Sequence, residues 1–511
     1  MSIKKPHSYL LKIGVILTVG FMLSAFFALI ANLLFADDGL DITLSLKLLS
    51  SLVYTFLFSL GVIVLGLLIA IPAASILVDT GGRRGEMLRL LAVSPLAVPP
   101  YIHALAWQQW FGSLGLPTGG DMVALWVEAL ARLPLLLAAT LVGFAYLNPI
   151  ANSATRIYAD PSRAFLHITL PQLKPSIIAG LAIVLIFSLN EYGLPALFLR
   201  SSYALDIFAQ YSATGNSREV LVMALPLILL SVTVAIIAIN SLSKLPTPTR
   251  VKREQTRLFV GPLWFDIWRI VALLITMLQL VIPLKEIISL ALFTDSVIIT
   301  KSAIESLQYS TTVALTASLV VLPFAWFLAE YLHRYANPLV WLAILIGFAL
   351  PSSLTGVGTI LFWGGSGLDR LYDGQLLLIL GYMTRVLPLS TLLIYIVIRN
   401  SDASLWDAAR LYQHGFKLWL KIRLYQVRSG ILGALLVSFS ITLPDLELSL
   451  LLSPAGMTTI GVRLFNYLHY GAAEQVSYLS LLILLTTLLF GAGLYLVISS
   501  QIGRAKQKGK K

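Results

Sequence analysis

The sequence predicts an all-α polytopic membrane protein with about twelve transmembrane helices in two repeated six-helix halves, and three observations lead there. The first is composition. Of 511 residues 58% are hydrophobic and 12% charged, where soluble domains carry roughly a quarter charged residues, and the mean hydropathy is +0.87. The second is the length of the apolar runs, many of which reach the roughly 20 helical residues needed to cross a hydrocarbon layer. They are continuous rather than alternating, so the spans are helices and not barrel strands. The third is an internal repeat. The polar, basic island from Asn148 to Lys174 aligns with Arg399 to Arg428 at one offset of 254 residues, which pairs Ala154 with Ala408, Arg156 with Arg410, Tyr158 with Tyr412 and Leu170 with Leu424. Pro134 and Pro388 keep the same spacing, and Arg132 and Arg385 stand just before them.

Taken in order, the first half places spans near residues 12–35, 51–78, 87–111, 122–147, 174–199 and 219–240. The second half follows near 265–292, 304–332, 338–363, 375–398, 427–452 and 473–500. The early stretch to Phe35, with Lys4, Lys5 and Lys12 ahead of it, is longer than the apolar region of a signal peptide and has no small-residue cleavage site, so it reads as a retained helix. Span 87–111 carries Pro95, Pro99 and Pro100, and span 338–363 carries Pro351; these read as kinks tolerated in membrane helices rather than as ligands. The expected domains are 1–240, with a transmembrane core from about 47; a linker over 241–264; and 265–511, with a core over about 304–500. The linker is polar, basic and punctuated by Pro246 and Pro248.

Most lysines and arginines fall in the head, residues 79–86, the two islands, the linker, 333–337 and the tail. Asp37, Asp38, Asp41, Asp121, Asp206, Asp295, Asp369 and Asp373 fall in the alternate loops. The positive-inside rule then puts both termini and both islands in the cytoplasm. The formal net charge of +12 is spread over short loops beside apolar spans, where it faces anionic lipid rather than nucleic acid.

Several chemistries are excluded. There is no cysteine, so no disulfide or thiolate site. No phosphate-binding loop of the G-x-x-x-x-G-K-[ST] type occurs, and the six histidines form no metal-spaced cluster. No enzyme active site or resident cofactor is expected in this chain.

Each island reads as helix, turn, helix, and at this point the residues resemble the EAA loop of ABC importer permeases. Asp407-Ala408-Ala409 in the second copy and Ile168-Thr169-Leu170-Pro171 in the first are its best-kept pieces, while Ser153 and Thr155 stand around Ala154 in the first copy and Tyr425 replaces the proline after Leu424. The resemblance is closest to fused two-half permeases of ferric-iron importers and is carried by LAVSPLAVPPYIHALAW (91–107), PSRAFLHITLPQLKPSIIAG (161–180) and MTTIGVRLFNYLHYGAAE (457–474). Permeases for thiamine, polyamines and phosphonates look similar. The resemblance implies the type I importer permease fold in a bacterial inner membrane, a periplasmic binding protein that delivers solute, and two cytoplasmic subunits that bind ATP and magnesium. On it, Ser153, Ala154, Thr155, Tyr158, Leu170, Pro171, Asp407, Ala408, Ala409, Tyr412 and Leu424 form the ATPase-coupling loops.

Ionisable groups at membrane depth are functional candidates by default. They are Glu191, Asp445, Glu447, Glu128, Arg132, Arg385 and His103, with Glu191 and Glu447 read as occupying comparable places in the two halves. Two readings stay open: the acids pair with Arg132 and Arg385 inside the bundle, or Glu191, Asp445 and Glu447 line a translocation path. A secondary transporter of the six-plus-six type is the alternative class. Its features would concentrate at midplane, whereas the longest repeated polar segments here are loops. A receptor or scaffold of transporter-like build is a third reading.

Overall fold

The computed structural model describes residues 7–35, 46–147, 165–243, 263–293, 301–364, 374–399, 401, 416–470 and 472–508. Among these residues there is no strand. The helices are α1 (His7–Met22), α2 (Ser24–Phe35), α3 (Leu46–Asp79), α4 (Gly82–Val93), α5 (Pro100–Ser113), α6 (Asp121–Ala145), α7 (Leu170–Leu189), α8 (Gly193–Leu197), α9 (Tyr203–Thr214) and α10 (Ser217–Ser243). They continue with α11 (Leu263–Phe293), α12 (Lys301–Tyr335), α13 (Pro338–Ala349), α14 (Ser352–Thr359), α15 (Leu376–Arg399), α16 (Phe416–Thr442), α17 (Glu447–Leu452), α18 (Ile460–His469) and α19 (Ala473–Lys508). Among the described residues nine helices are long and apolar enough to cross a membrane, and the number is twelve if each of three bent pairs is one span.

Two of the bent pairs explain the prolines. The pair reaching from Gly82 to Ser113 turns by 98° and the pair from Pro338 to Gly364 by 104°. The residue that caps the second helix is Pro99 in one (φ −59°, ψ 147°) and Pro351 in the other (φ −55°, ψ 145°). A proline ring fixes φ and lacks the N–H that a continuing helix requires, so the chain stops, extends for a residue and restarts. These prolines therefore act as breaks, as the sequence suggests. The third pair, Leu11–Met22 with Ser24–Phe35, turns by 56°.

The span boundaries need one correction, made twice. Spans expected over 174–199 and 427–452 instead run over His167–Leu189 and Ile422–Thr442. Each is followed by a break and a short helix, α8 or α17. After Leu189 the side chain of Asn190 donates to the Ile186 carbonyl at 2.8 Å and closes the helix. After Thr442 it is Pro444 that cannot continue one.

The chain forms two compact units, Leu40–Asp295 and Met1–Gly39 with Ser296–Lys511. They do not follow the two sequence halves. In the first unit α11 buries Ala272 and Ile282 in a core shared with Ile69, Leu77, Trp107, Leu130 and Phe144. Trp268 donates to the Leu68 carbonyl at 3.1 Å, and Arg269 reaches Ser75 at 2.7 Å and Asp79 at 2.6 Å. In the second unit α1 buries Val15 and Met22 with Val313, Leu328 and Leu387, and Phe21 stacks on Phe324 at 6.1 Å. Each unit thus takes its opening span from the other half of the sequence. Apolar side chains that face outward along α1, α3 and α11, among them Ile16, Leu57 and Leu274, are those a lipid-facing surface requires.

The contact between α2 and α14 is close enough to need glycine. A Cβ on Gly358 would lie 2.3 Å from the Ala25 carbonyl oxygen. Gly358→Val should therefore push the two helices apart and cost roughly 1–3 kcal/mol, read as a lower thermal midpoint in detergent, whereas Gly433→Ala, inside α16 with nothing within 4 Å, should not lower the midpoint and should raise it slightly, by about 0.5–1 kcal/mol of helix propensity.

Candidate functional site

Each unit contains one arginine from the span before the island and one acid from the break after it. In the Leu40–Asp295 unit Arg132, in the middle of α6, forms a buried ion pair with Glu191. The other carboxylate oxygen of Glu191 accepts from the Gly193 amide at 3.1 Å and the Leu194 amide at 3.2 Å. Those amides open α8 and have no partner within it, so the acid caps the restart and neutralises the arginine at once. Arg132 also lies over the Phe187 ring, 5.5 Å from its centre. Ser202, the N-cap of α9, ties its hydroxyl to the Glu191 carbonyl at 3.1 Å.

The other unit repeats the arrangement with a different register. Arg385 on α15 pairs with Asp445 at 2.5 Å. The second oxygen of Asp445 accepts from the Leu448 amide at 3.0 Å and, longer, the Ser449 amide at 3.4 Å. Glu191 and Asp445 stand 254 residues apart, the offset of the repeat. The counterpart of Glu191 is thus Asp445 and not Glu447, because the acid that caps the short helix must immediately precede it. Glu447 is the first residue of α17 and sits 3.2 Å from the same Arg385 nitrogen. The structure has Glu191 paired with Arg132, and Asp445 and Glu447 with Arg385.

Burial explains why these pairs form. A charge removed from water costs several kcal/mol unless compensated nearby, and the side chains of Arg132 and Glu191 are 11% and 15% exposed. Two further pairs that the sequence reading passed over obey the same rule. Arg269 meets Asp79 near the end of α3, and Arg423 on α16 meets Glu330 on α12 at 3.0 Å. The only hint in the sequence is an acid within a few residues of a helix end.

A second repeated device also went unread. Thr55 and Ser310, on α3 and α12, accept from the amides of Tyr203 at 2.9 Å and Ile460 at 2.8 Å, and so hold the starts of α9 and α18. One turn earlier Ser51 donates to Asp206 at 2.5 Å, and Ser306 accepts from Arg463 at 2.8 Å. The i, i+4 hydroxyl pair in both spans is a signal that could have been found.

The remaining site expectations divide by location. Ser153, Ala154, Thr155 and Tyr158, with Asp407, Ala408, Ala409 and Tyr412, lie outside the described residues. Leu170 and Pro171 open α7 directly after a π turn at Phe165–Thr169; proline suits a first helical position, where its missing N–H costs nothing. Leu424 is inside α16 instead, since Tyr425 imposes no such stop. His103 is fully buried on α5. Among the described residues no group of three or more His, Asp or Glu could hold a metal ion.

With this geometry in place, similarity to known proteins adds a direction. No protein-family model matches the chain. Over 151 residues the chain is 30% identical to the "Molybdenum transport system permease protein ModB" of Mycobacterium tuberculosis, and equally to that of Mycobacterium bovis. The match takes in 27% of this chain and 57% of each relative, so it spans little more than half of the relatives' length.

Replacing Arg132 by Met should leave Glu191 buried without its counter-charge and cost roughly 3–5 kcal/mol. Arg385→Met should be more damaging, since two carboxylates lose one cation. Chemical denaturation in detergent, monitored by tryptophan fluorescence, measures both; equal midpoints for wild type and the two variants would show that the pairs contribute nothing.

Proposed function

We propose that this chain is the membrane-spanning permease subunit of an ATP-driven, binding-protein-dependent importer. The observation that carries the reading is the matched pair of arginine–acid stations, whose acids Glu191 and Asp445 stand at the repeat offset and which supports reading the two units as versions of one transport module. The similarity to two permease proteins and the duplicated islands support it. On this reading the islands around Ala154 and Ala408, for which the sequence predicts helix, turn and helix, receive two ATP-binding subunits, each island inserting into a groove of its partner. The chain lies in the inner membrane with both termini and the linker in the cytoplasm, and ATP and magnesium are bound by the partner subunits. A binding protein delivers solute from the opposite side.

For the solute we propose a small inorganic oxyanion, for which the relatives' name, a molybdenum transport system, is the support. Ferric iron, the expectation raised by the sequence, needs hard oxygen ligands if the permease is to hold it. Glu191 and Asp445 are committed to arginines and backbone amides. If iron is carried, selectivity belongs to the binding protein, and Glu191, Asp445 and Glu447 offer at most a transient lining.

Three outcomes are expected. Native mass spectrometry should find two ATPase copies with one chain, and a stable, active chain without them would end the importer reading. Vesicles loaded with the binding protein should take up molybdate in an ATP-dependent way that ferric iron, thiamine and polyamine do not inhibit; inhibition by iron alone would transfer the assignment to iron. Ala408→Glu should abolish ATP-dependent uptake while sparing ATP hydrolysis, because a bulky charge blocks the docking groove.

A further inference from the structure

Within the Leu40–Asp295 unit a second acid, Glu128, stands beside the Arg132–Glu191 pair without an ion pair of its own. Glu128 lies one turn before Arg132 on α6, roughly 10 Å into the helix from Asp121, and is 0% exposed. Neither of its carboxylate oxygens has a hydrogen-bond partner among the described residues. The Ser188 hydroxyl on α7 neighbours it without reaching hydrogen-bond geometry, and that hydroxyl too is buried and unpartnered. Both residues line one small pocket together with Tyr54, Thr55, Glu191 and Ser202.

Three properties of the pocket define what fits it. Its lining is largely apolar, with Phe58, Ala124 and Pro195 in it, and two of its oxygen-bearing side chains, Glu128 and Ser188, have no hydrogen-bond partner, while Thr55 and Ser202 each donate to a neighbouring carbonyl and accept from a neighbouring amide. Its charge is unbalanced by one. Arg132 is matched by Glu191, and Arg200, at the mouth, is matched by Asp121 at 2.9 Å. The charge of Glu128 remains over, and Asp206, bonded to Ser51 and Ser201, adds a further negative group nearby. Its free space, about 10 Å³, admits a single particle of the size of water.

We propose that the pocket between α3, α6 and α7 binds one small monovalent cation, of the sodium type, with Glu128 and Ser188 as its principal ligands. An anion would meet two carboxylates. A divalent ion would want more carboxylate than the pocket supplies, because Glu191 already serves Arg132 and two amides. A single positive charge removes the uncompensated one that burial otherwise makes costly. Among the described residues the other unit does not repeat the acid: at the repeat offset from Glu128 stands Tyr382, whose hydroxyl is bonded to Ser449 at 2.7 Å. The stoichiometry is therefore one ion per chain, and the inference is independent of the solute carried.

The test uses the full chain in lipid nanodiscs and radioactive sodium as the probe. Saturable binding of one sodium per chain is expected, lost in Glu128→Gln and weakened about tenfold in Ser188→Ala, the order expected for one lost oxygen ligand. Sodium chloride should raise the thermal midpoint over choline chloride at equal ionic strength in wild type and not in Glu128→Gln. If the glutamine variant elutes as aggregate, the Ser188→Ala shift in affinity decides alone. The proposal is overturned by undetectable saturable binding in wild type, by Ser188→Ala and Glu128→Gln binding sodium as wild type does, or by a midpoint that ignores sodium but rises as pH falls, which would assign Glu128 a proton instead.

Discussion

A charged side chain far from water must find its opposite inside the protein, and that requirement organises both units. It explains why Arg132 and Arg385, each placed in the middle of a span, face the break that follows the next span. It also explains the breaks themselves. A helix that stops inside the protein leaves amides without partners, and at Gly193–Leu194 and Leu448–Ser449 an acid already drawn in by an arginine accepts from them. Charge compensation and helix capping are solved by the same atoms. Neither feature would be stable alone: an uncapped restart wastes hydrogen bonds, and an unpaired arginine wastes solvation.

Much of this was legible because it leaves periodic or spaced traces. Apolar runs marked the spans, the offset of Pro134 and Pro388 marked the repeat, and Pro99 and Pro351 marked the bends. Pairing between the intramembrane acids and the two arginines could be anticipated from cost alone. The register of that pairing could not. Glu447 matches Glu191 in residue type, and only the three-dimensional start of α17 shows that Asp445 is the residue in the capping place. Hydropathy is likewise blind to neighbours. It says that 12–35 and 265–292 cross, but not which bundle each joins, since lipid and a partner helix are both apolar. That Glu128 makes no ion pair was beyond reach for a related reason, because i, i+4 spacing to Arg132 suggests a pair and the arginine bonds Glu191 instead.

The two units also diverge where the repeat would have kept them alike. One arginine with one acid against one arginine with two acids, Glu128 against Tyr382, and Asp206 against Arg463 under the helix after the break are all differences in charge within an unchanged frame. Apolar positions hold the frame and ionisable positions carry the divergence.

The placement of the opening helices bears on how the chain is made. The unit Leu40–Asp295 is continuous, so every helix it needs has emerged once α11 is synthesised. The other unit is not: α1 and α2 come first yet bury their faces against α12, α14 and α15. At the usual pace of synthesis the intervening stretch takes on the order of tens of seconds. For that interval α1 has been made while α12, α14 and α15 have not, so the side chains that later cover Val15 and Met22 do not yet exist.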